Sequence, residues 1–426
     1  MMKFLFTLAF ALVFTASDAQ KTYIQCGRLI DGLSSATRQS VTIIVEGNII
    51  TGIANGFTSG GAADKVIDLQ SKTVLPGLID CHVHLEDQTS KTSFIEGFTR
   101  PDPEVAYYAA IFAKRTLLAG FTTVRDCGGS GVNISLRNAI NKGLVDGPFM
   151  LTAGRAISAT GGHMDPSVGL RDDVLRSTPG PEQGVADGKD ELVKAVRFQF
   201  KKGADLIKIA STGGVLDLSK DGSGAQFTIE EIKAVVETAK DYGMKVACHA
   251  HGAEGIKRAI LGGVSSIDHG TYMNEEDMAL AKKYGTYLVP TIIAGKSVAD
   301  SAKIPGYFPA VIAKKASEVG SQIQNTFGKA YKAGVKIAFG TDAGVYPHGK
   351  NALEFVYMTE AGMPPMEAIK AATVNAADLL GITEQRGSIS AGKMADIIAV
   401  NGDPIADIKV LGTVDFVMKE GKIYKQ

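Results

Sequence analysis

The chain has 426 residues, which is long for one simple domain and short for three. Lysine plus arginine and aspartate plus glutamate both number 45, so the formal net charge is zero. This balance gives no electrostatic reason to expect nucleic acid or an anionic membrane as a partner. Apolar residues make up 45% of the chain and glycines number 49, which is typical of an α/β protein with many tight turns.

The first residues have the pattern of a secretory signal peptide, residues 1–19. Lys3 precedes an apolar run at residues 4–14, and Ser17-Asp-Ala19 places small residues where signal peptidases cleave. The apolar run is shorter than the roughly 18 residues that span a membrane. The sequence therefore predicts an exported mature protein without a membrane span, periplasmic or secreted if the source is bacterial.

Export permits disulfides, but the four cysteines have no spacing typical of a metal site or a disulfide framework. Most of them lie in or at the end of predicted core strands, where a free thiol behaves as a small apolar side chain. We therefore expect free thiols at Cys26, Cys81, Cys127 and Cys248.

The two ends of the mature chain share one β-rich pattern. Residues 21–68 contain β-branched runs between turn residues, with a hairpin signal at Glu46-Gly47-Asn48. Residues 392–400 and 414–424 repeat this pattern. No other part of the chain offers the first segment a sheet to join. We therefore expect a small composite β-sandwich built from both terminal segments, residues 20–74 and 385–426.

Between these segments, residues 75–384 alternate short apolar runs with helical patterns. Eight strand–helix units in about 300 residues are the expected content of a (β/α)8 TIM barrel, so the fold class is α/β. The predicted strands are Leu78–His84, Thr122–Cys127, Phe149–Ala153, Leu206–Ile209, Lys245–His249, Ser265–His269, Thr286–Pro290 and Val335–Gly340. Predicted helices include Glu104–Ala119, Lys189–Lys202, Thr228–Tyr242 and Met363–Leu380. The irregular stretch 158–188 is predicted to be a lid or binding loop.

Candidate metal ligands follow the predicted strands. His82 and His84 are one residue apart in a strand, so their imidazoles point to the same face. Imidazole is a common ligand of zinc and neighbouring divalent metals. Lys208 lies inside an apolar strand, where an unpaired ammonium is costly. Barrel enzymes place their chemistry at the carboxyl ends of the strands, and these ends carry His82, His84, Lys208, His249, His269 and Asp342.

These motifs resemble the metal-dependent amidohydrolase superfamily, and in detail its branch of Xaa-Pro dipeptidase-like and imidazolonepropionase-like enzymes. The resemblance covers nearly all of the mature chain. The motifs that carry it are Pro76-Gly-Leu-Ile-Asp-Cys-His-Val-His84, Thr122-Thr-Val-Arg-Asp126, Ile207-Lys-Ile209, His249-Ala-His-Gly252, Asp268-His-Gly270, Gly340-Thr-Asp-Ala-Gly344 and the segment from Gly387 to Ile398.

The resemblance implies a role for each residue at the strand ends. His82, His84 and Asp342 would hold the more buried of two divalent metal ions, expected to be zinc. The more exposed ion would be held by His249 and His269. Lys208 matches the lysine that many members carboxylate, and its carbamate would bridge the two ions. Asp342 would then pass a proton from the shared water to the leaving nitrogen.

Three further residues are candidate substrate contacts. His163, in the long loop, could bind substrate or stabilise an oxyanion, and it is also a second candidate for the catalytic proton; a solvated loop histidine is the alternative. His251 is expected beside the metal ligands or at a helix start. Tyr272 could donate a hydrogen bond to a substrate carboxylate, or simply pack. Elsewhere we expect Arg125 and Asp126 to form a structural pair and His348 to lie at the surface.

The sequence thus predicts an exported binuclear amidohydrolase that cleaves an amide bond in a dipeptide, of Xaa-Pro type, or in an N-acyl amino acid. Some similar enzymes hydrolyse amide-linked toxins, so ochratoxin-like amides are included. The alternative is a cyclic-amide hydrolase resembling imidazolonepropionase. A metal-bound binding protein without turnover is a third hypothesis, against which Asp342 argues, because pure binding needs no general base. The partner is a small molecule or dipeptide, and a homo-oligomer is left open.

Overall fold

The computed structural model describes residues 20–171, 173, 177–218 and 222–426. The predicted signal peptide, residues 1–19, lies outside these described residues. Within them, every helix is too short or too polar to cross a membrane. The described chain forms one mixed sheet and two parallel sheets, with helices between successive strands of the parallel sheets.

The elements follow in chain order. The strands are β1 (Lys21–Leu29), β2 (Arg38–Glu46), β3 (Ile49–Asn55), β4 (Lys65–Pro76), β5 (Leu78–Val83), β6 (Phe121–Asp126), β7 (Phe149–Thr152), β8 (Ile207–Ala210), β9 (Val246–Ala250), β10 (Ser266–His269), β11 (Tyr287–Val289), β12 (Ile397–Asn401), β13 (Val414–Lys419) and β14 (Lys422–Lys425). The helices are α1 (Ser93–Thr99), α2 (Asp102–Leu118), α3 (Val132–Asn141), α4 (Gly188–Lys202), α5 (Ile229–Asp241), α6 (Ala253–Gly262), α7 (Glu275–Tyr284), α8 (Ile292–Ala302), α9 (Ala310–Lys332), α10 (Leu353–Glu360), α11 (Pro365–Ala371) and α12 (Val374–Leu380).

The mixed sheet joins the two ends of the chain. Its seven strands have the order β14-β13-β12-β4-β1-β2-β3. The long strand β4 pairs in parallel with β1 along one side and antiparallel with β12 along the other. The expected association of both terminal segments is therefore present. In place of a two-sheet sandwich, however, the strands form one hydrogen-bonded sheet, because β4 offers pairing partners on both of its edges.

The parallel strands form a three-stranded sheet, β5-β6-β7, and a four-stranded sheet, β11-β10-β9-β8. All residues of β5, β6, β8, β9, β10 and β11 are buried, as expected when both faces of a parallel sheet are covered. Beside the outer strands β7 and β8, Ile157 N donates to Lys208 O over 2.8 Å. Beside the outer strands β11 and β5, Leu288 N donates to Lys336 O and Cys81 N donates to Phe339 O, each over 2.8 Å.

Two further sequence predictions differ from the structure. The eighth predicted strand, Val335–Gly340, forms only an isolated parallel bridge from Ile337 to Leu288, and the chain then turns away at Asp342, whose φ is 61°. The predicted helix Met363–Leu380 is divided into α11 and α12. It breaks because Thr373 adopts φ −132° and ψ −96°, outside the helical range.

The mixed sheet leads directly into the first strand of the parallel sheets. Gly77 alone separates β4 from β5, and a Cβ on it would lie 2.1 Å from Thr122 Oγ1 of β6. Only glycine allows this close approach, so Gly77 fixes where β5 starts. It thereby sets the positions of His82, within β5, and of His84, directly after it. All four cysteines are buried and free, which confirms the expectation of unpaired thiols.

Candidate functional site

Six of the seven histidines of the chain line one cavity of about 110 Å³ beside the carboxyl ends of the parallel strands. Its polar lining consists of His82, His84, His163, His249, His251, His269, Thr291 and Asp342. Its apolar wall includes Met164, Val215, Leu216, Ala294, Val298, Val319, Ile323 and Val345. The cavity therefore combines a cluster of metal-ligand side chains with a surface suited to an apolar group.

The first group of candidate ligands is His82, His84 and Asp342. The two Nε2 atoms are 3.3 Å apart, and each lies 3.4 Å from Asp342 Oδ1. Metal–nitrogen bonds of about 2.0–2.1 Å place two ligands of one tetrahedral shell about 3.3 Å apart. The structure thus brings together the three side chains expected to share one ion, at a spacing that a divalent metal fits.

The second nitrogen of each ring in this group faces an oxygen atom. His84 Nδ1 lies 2.6 Å from the carbonyl oxygen of Gly128, and His82 Nδ1 lies 3.1 Å from Asp268 Oδ2. A ligating histidine ordinarily uses its other ring nitrogen in this way, which fixes the tautomer and the ring orientation. Burial and the nearby Lys208 ammonium lower the pKa of His82 to about 4, so its imidazole is neutral at pH 7, as a metal ligand must be.

The second group is His249, His251 and His269, whose ligand atoms lie within 4.8 Å of one another. His249 Nε2 is 3.1 Å from Gly213 O, and His269 Nδ1 is 2.7 Å from Thr291 Oγ1. These bonds leave His249 Nδ1 and His269 Nε2 for a metal. Burial lowers the pKa of both rings well below the usual value, so both are neutral.

His251 joins this group more closely than its sequence position indicated. Its Nδ1 is 2.7 Å from Thr271 Oγ1, and its ring stacks on His269 at 4.9 Å between centroids. Burial and the neighbouring His163 lower the pKa of His251 to about 3. It therefore presents a neutral ring to the cavity.

Lys208 is fully buried, but it is not unpaired. Its Nζ lies 2.5 Å from Asp268 Oδ2, whose carboxylate also accepts from Arg125 Nη2 at 3.0 Å and Ser266 Oγ at 2.9 Å. Burial alone would raise the pKa of Asp268, but Lys208 and Arg125 lower it well below the usual value. The charge of Lys208 therefore has a buried partner, because Asp268 of β10 reaches it from the far side of the intervening strand β9.

Asp268 is the residue that sequence reasoning missed. An acidic side chain within the apolar strand β10 is as unusual as the lysine within β8, and that signal could have identified it. The expected pair of Arg125 with Asp126 is wrong. Arg125 contacts Asp268, whereas Asp126 accepts hydrogen bonds from Leu85 N at 2.9 Å and Asn133 Nδ2 at 2.8 Å.

The other predicted contacts divide between the cavity and its surroundings. His163 lines the cavity and stacks on His249, with 4.3 Å between ring centroids. Tyr272 lies outside it, on a second cavity of about 360 Å³ that shares His251. His348, expected at the surface, is buried: its ring stacks on Phe112 at 4.6 Å, away from the cavity.

Backbone strain marks the same place. His269, Thr291 and Asp342 have φ of 75°, 52° and 61°, in the left-handed region that side-chain-bearing residues rarely adopt. All three line the cavity. Strained residues of this kind persist only where surrounding contacts over-determine them, and they cluster at functional sites.

Comparisons with known proteins agree with this geometry. The model of the amidohydrolase family matches residues 73–424. A solved structure of a Xaa-Pro dipeptidase with bound methionine in its active site is 51% identical, with TM-score 0.92, over 96% of this chain and all of that one. Ochratoxinase of Aspergillus niger is 33% identical over 97% of this chain and 88% of its own length. Imidazolonepropionase of Chromobacterium violaceum is 25% identical over 84% of each chain. The chain belongs to the amidohydrolase family and is a hydrolase acting on amide bonds.

Proposed function

We propose that the protein is a binuclear metal-dependent hydrolase that cleaves the amide bond of a dipeptide, of Xaa-Pro type, or of an N-acyl amino acid. The observation that carries this proposal is the presence of two clusters of candidate ligands on one cavity. In His82, His84, His249 and His269, one ring nitrogen faces an oxygen atom and the other is left for a metal. The likeness to a Xaa-Pro dipeptidase and to ochratoxinase supports the choice of substrate class.

Within this proposal, His82, His84 and Asp342 would hold one divalent ion, zinc by preference of the donor atoms, and His249 and His269 would hold the other. Lys208, carboxylated to a carbamate, would supply a ligand shared by both ions. The pairing with Asp268 is compatible with that modification, because a carbamate nitrogen keeps one hydrogen, which can remain bonded to Asp268 Oδ2. When bound, the ions supply Lewis-acid activation of the scissile carbonyl and of the attacking water.

The protein side chains supply positioning and proton transfer. Asp342 Oδ1, beside both Nε2 atoms, accepts the proton of the attacking water and delivers it to the leaving nitrogen. His163 and His251 contact the substrate from the polar side of the cavity. The opposite wall, which includes Val298, Val319 and Ile323, accepts an apolar side chain of the substrate. Tyr272, on the adjoining cavity, would contact only a substrate that extends past His251.

We also propose that the parallel strands close into a (β/α)8 barrel. The hydrogen bonds from Ile157 to Lys208, from Leu288 to Lys336 and from Cys81 to Phe339 support closure, since they join the two parallel sheets beside both pairs of outer edges. The segment 335–340 would take the place of the eighth strand. Closure would bring the ends of β5 and β10 to one mouth, where His82 and His269 have ring centroids 5.0 Å apart.

The second candidate is a cyclic-amide hydrolase. It is favoured by the imidazolonepropionase relative, which aligns over most of both chains. A cyclic amide would use the same ligands and the same proton carrier, but its leaving nitrogen would remain attached to the product. Measuring the metal content therefore does not separate the two candidates, and only assays with open-chain and cyclic amides do.

The deciding experiment is a substrate panel on the zinc-reconstituted protein. It contains Xaa-Pro dipeptides, N-acyl amino acids, an ochratoxin-like amide and cyclic amides, with Lys208→Met as the inactive control. We expect hydrolysis of an open-chain amide with an apolar acyl side chain, and about two metal ions per chain by elemental analysis. Turnover of the cyclic amides alone would favour the second candidate. A metal content that never exceeds one would contradict the binuclear site.

Export is part of the proposal. Lys3, the apolar run and the small residues up to Ala19 support cleavage at that point. N-terminal sequencing of the exported fraction from the native host should begin at Gln20 or within a few residues of it. Recovery of intact Met1 in that fraction would contradict the proposal.

A further inference from the structure

A chain of three charged or polar side chains leads from helix α9 to the cavity. Lys315 of α9 is buried, and its Nζ lies 2.9 Å from Asp217 Oδ1. The other carboxylate oxygen, Asp217 Oδ2, lies 2.5 Å from His163 Nδ1. Lys315 Nζ also donates to the carbonyl oxygens of Gly214, at 2.8 Å, and of Asp217, at 3.0 Å. Its three N–H groups thus hold one turn in place.

That turn also determines the position of the His163 ring. A Cβ on Gly214 would lie 2.0 Å from His163 Cε1, so the ring packs directly on the glycine backbone. Gly214 N donates to Asp217 Oδ2 over 3.2 Å, which fixes the carboxylate beside the ring. The neighbouring carbonyl of Gly213 accepts from His249 Nε2. One turn therefore positions two cavity histidines that stack on each other.

The hydrogen-bond partner of His163 differs in chemistry from the partners of most other cavity histidines. The occupied nitrogens of His84 and His249 face backbone carbonyls, and those of His251 and His269 face hydroxyls. His163 faces a carboxylate that is balanced by a buried ammonium. A carboxylate on one ring nitrogen fixes the tautomer and orientation of an imidazole more strongly than a neutral acceptor does.

We propose that Asp217, held by Lys315, is a positioning residue for His163. Asp217 accepts the Nδ1 hydrogen, which leaves Nε2 as the ring nitrogen that faces the scissile amide. The inference rests on the proposed function, because it needs a substrate in the cavity that His163 contacts. Asp217 and Lys315 do not touch the substrate, and they act through the His163 ring alone.

A double-mutant cycle tests the inference. In the otherwise unchanged protein, Asp217→Asn should lower kcat by about 10- to 100-fold, the usual cost of losing a residue that orients a functional side chain. KM should change much less, because the apolar wall remains. In the His163→Ala background the same substitution should change kcat by less than about 3-fold, since the ring on which Asp217 acts is absent. Asp217→Glu should recover part of the lost rate.

The matched control is Asp187→Asn. Asp187 anchors the same long loop by accepting from Thr160 N and Thr160 Oγ1, at 3.1 and 2.6 Å, but it does not contact the His163 ring. The Asp187→Asn variant should retain near-parental kcat. If Asp217→Asn does not fold, Lys315→Met carries the same cycle, because it removes the support of the carboxylate from a different helix.

The outcomes separate this inference from the proposed function. If the parent protein hydrolyses no amide of the panel, the proposed function fails. If the parent is active and Asp217→Asn retains its kcat, or if the loss is equally large in the His163→Ala background, the positioning role is overturned. If Asp217→Asn lowers kcat only in the protein that keeps His163, and the metal content is unchanged, the positioning role is supported.

Discussion

Lys208 and Asp268 form an ion pair in which both side chains are fully buried, with 2.5 Å between Nζ and Oδ2. Burial of the lysine is therefore not itself a sign of carboxylation, because Asp268 already compensates an ammonium. The two states differ in what they offer a metal: an ammonium has no lone pair, whereas a carbamate contributes two oxygen ligands. Metal content distinguishes them more directly than stability does.

Substitution of Lys208 by alanine should reduce bound metal from about two ions per chain to one or fewer, with loss of most activity. The physical reason is the removal of the bridging ligand. Elemental analysis of the reconstituted variant measures the metal, and short carboxylates added to the assay should restore part of the rate. Lys419→Met is the control, since Lys419 is also buried but lies in β13 of the mixed sheet, where its Nζ donates to Gly147 O before β7. Full metal content and activity in Lys208→Ala would exclude the bridge.

Replacing Asp342 with asparagine should preserve the fold while kcat falls by at least about 10²-fold, the usual scale of general acid–base catalysis. The amide keeps one oxygen near His82 and His84, so part of the metal should be retained. Steady-state kinetics at saturating metal, together with metal analysis, gives the result. Near-parental turnover with both ions bound would assign the proton to another group, and His163 is then the next candidate.

The buried carboxyl of Glu354 should make stability depend on pH. It accepts backbone hydrogen bonds from Ile292 N at 2.8 Å and Ile293 N at 2.7 Å, where α8 begins at the cavity. Burial raises the pKa of Glu354 from 4.5 to about 8. Between these pH values the folded state keeps a proton that the unfolded chain releases. This contribution to stability is therefore greatest below the unfolded pKa and falls as the pH rises to about 8.

Glu354→Gln lacks this titration. The Tm of the variant minus that of the parent should therefore increase as the pH rises from about 5 to about 9. Calorimetry across that range measures it, and repetition at higher salt should change the trend little, because a buried group is poorly screened. A difference that is constant with pH would show that Glu354 titrates alike in both states.

A methyl group at position 214 should disturb His163 without altering any charge. Gly214→Ala places a Cβ 2.0 Å from His163 Cε1, so the ring must move. A displacement of about 1 Å at a reacting group can cost 10²-fold in rate, and we expect kcat/KM to fall by at least about 10-fold. Gly97→Ala, in α1 with no atom within 4 Å of the new Cβ, should leave kcat/KM unchanged. Equal activity of both variants would contradict the placement of the ring.

The apolar wall should set the size preference for the substrate. Ile323 of α9 is buried against the cavity, and Ile323→Ala enlarges the space beside it. One methylene in an apolar pocket is worth about 1–3 kcal/mol of discrimination. The ratio of kcat/KM for a large over a small acyl side chain should therefore rise by about 10-fold or more. A ratio that does not change would place the substrate side chain elsewhere.

Local pattern was sufficient for the first half of the site. The period of two in a strand determines that His82 and His84 share a face, whatever the rest of the chain does. Polar residues after apolar runs likewise located His249, His269 and Asp342, because the carboxyl ends of parallel strands meet on one side. The β-rich pattern of both termini indicated that the two segments associate, because the first had no other sheet to join. It predicted a sandwich, however, where the chain forms one sheet.

Tertiary structure decided which groups the candidate side chains face. Lys208 and Asp268 are 60 residues apart, and His163 and Asp217 are 54 apart, in segments whose spacing in sequence has no regular period. Their pairing depends on the alignment of β8 to β10 and on the path of two loops over the cavity. Side-chain direction is a property of a few neighbouring residues, whereas a partner depends on how distant segments pack. The sequence alone determined the first, and only the folded chain determined the second.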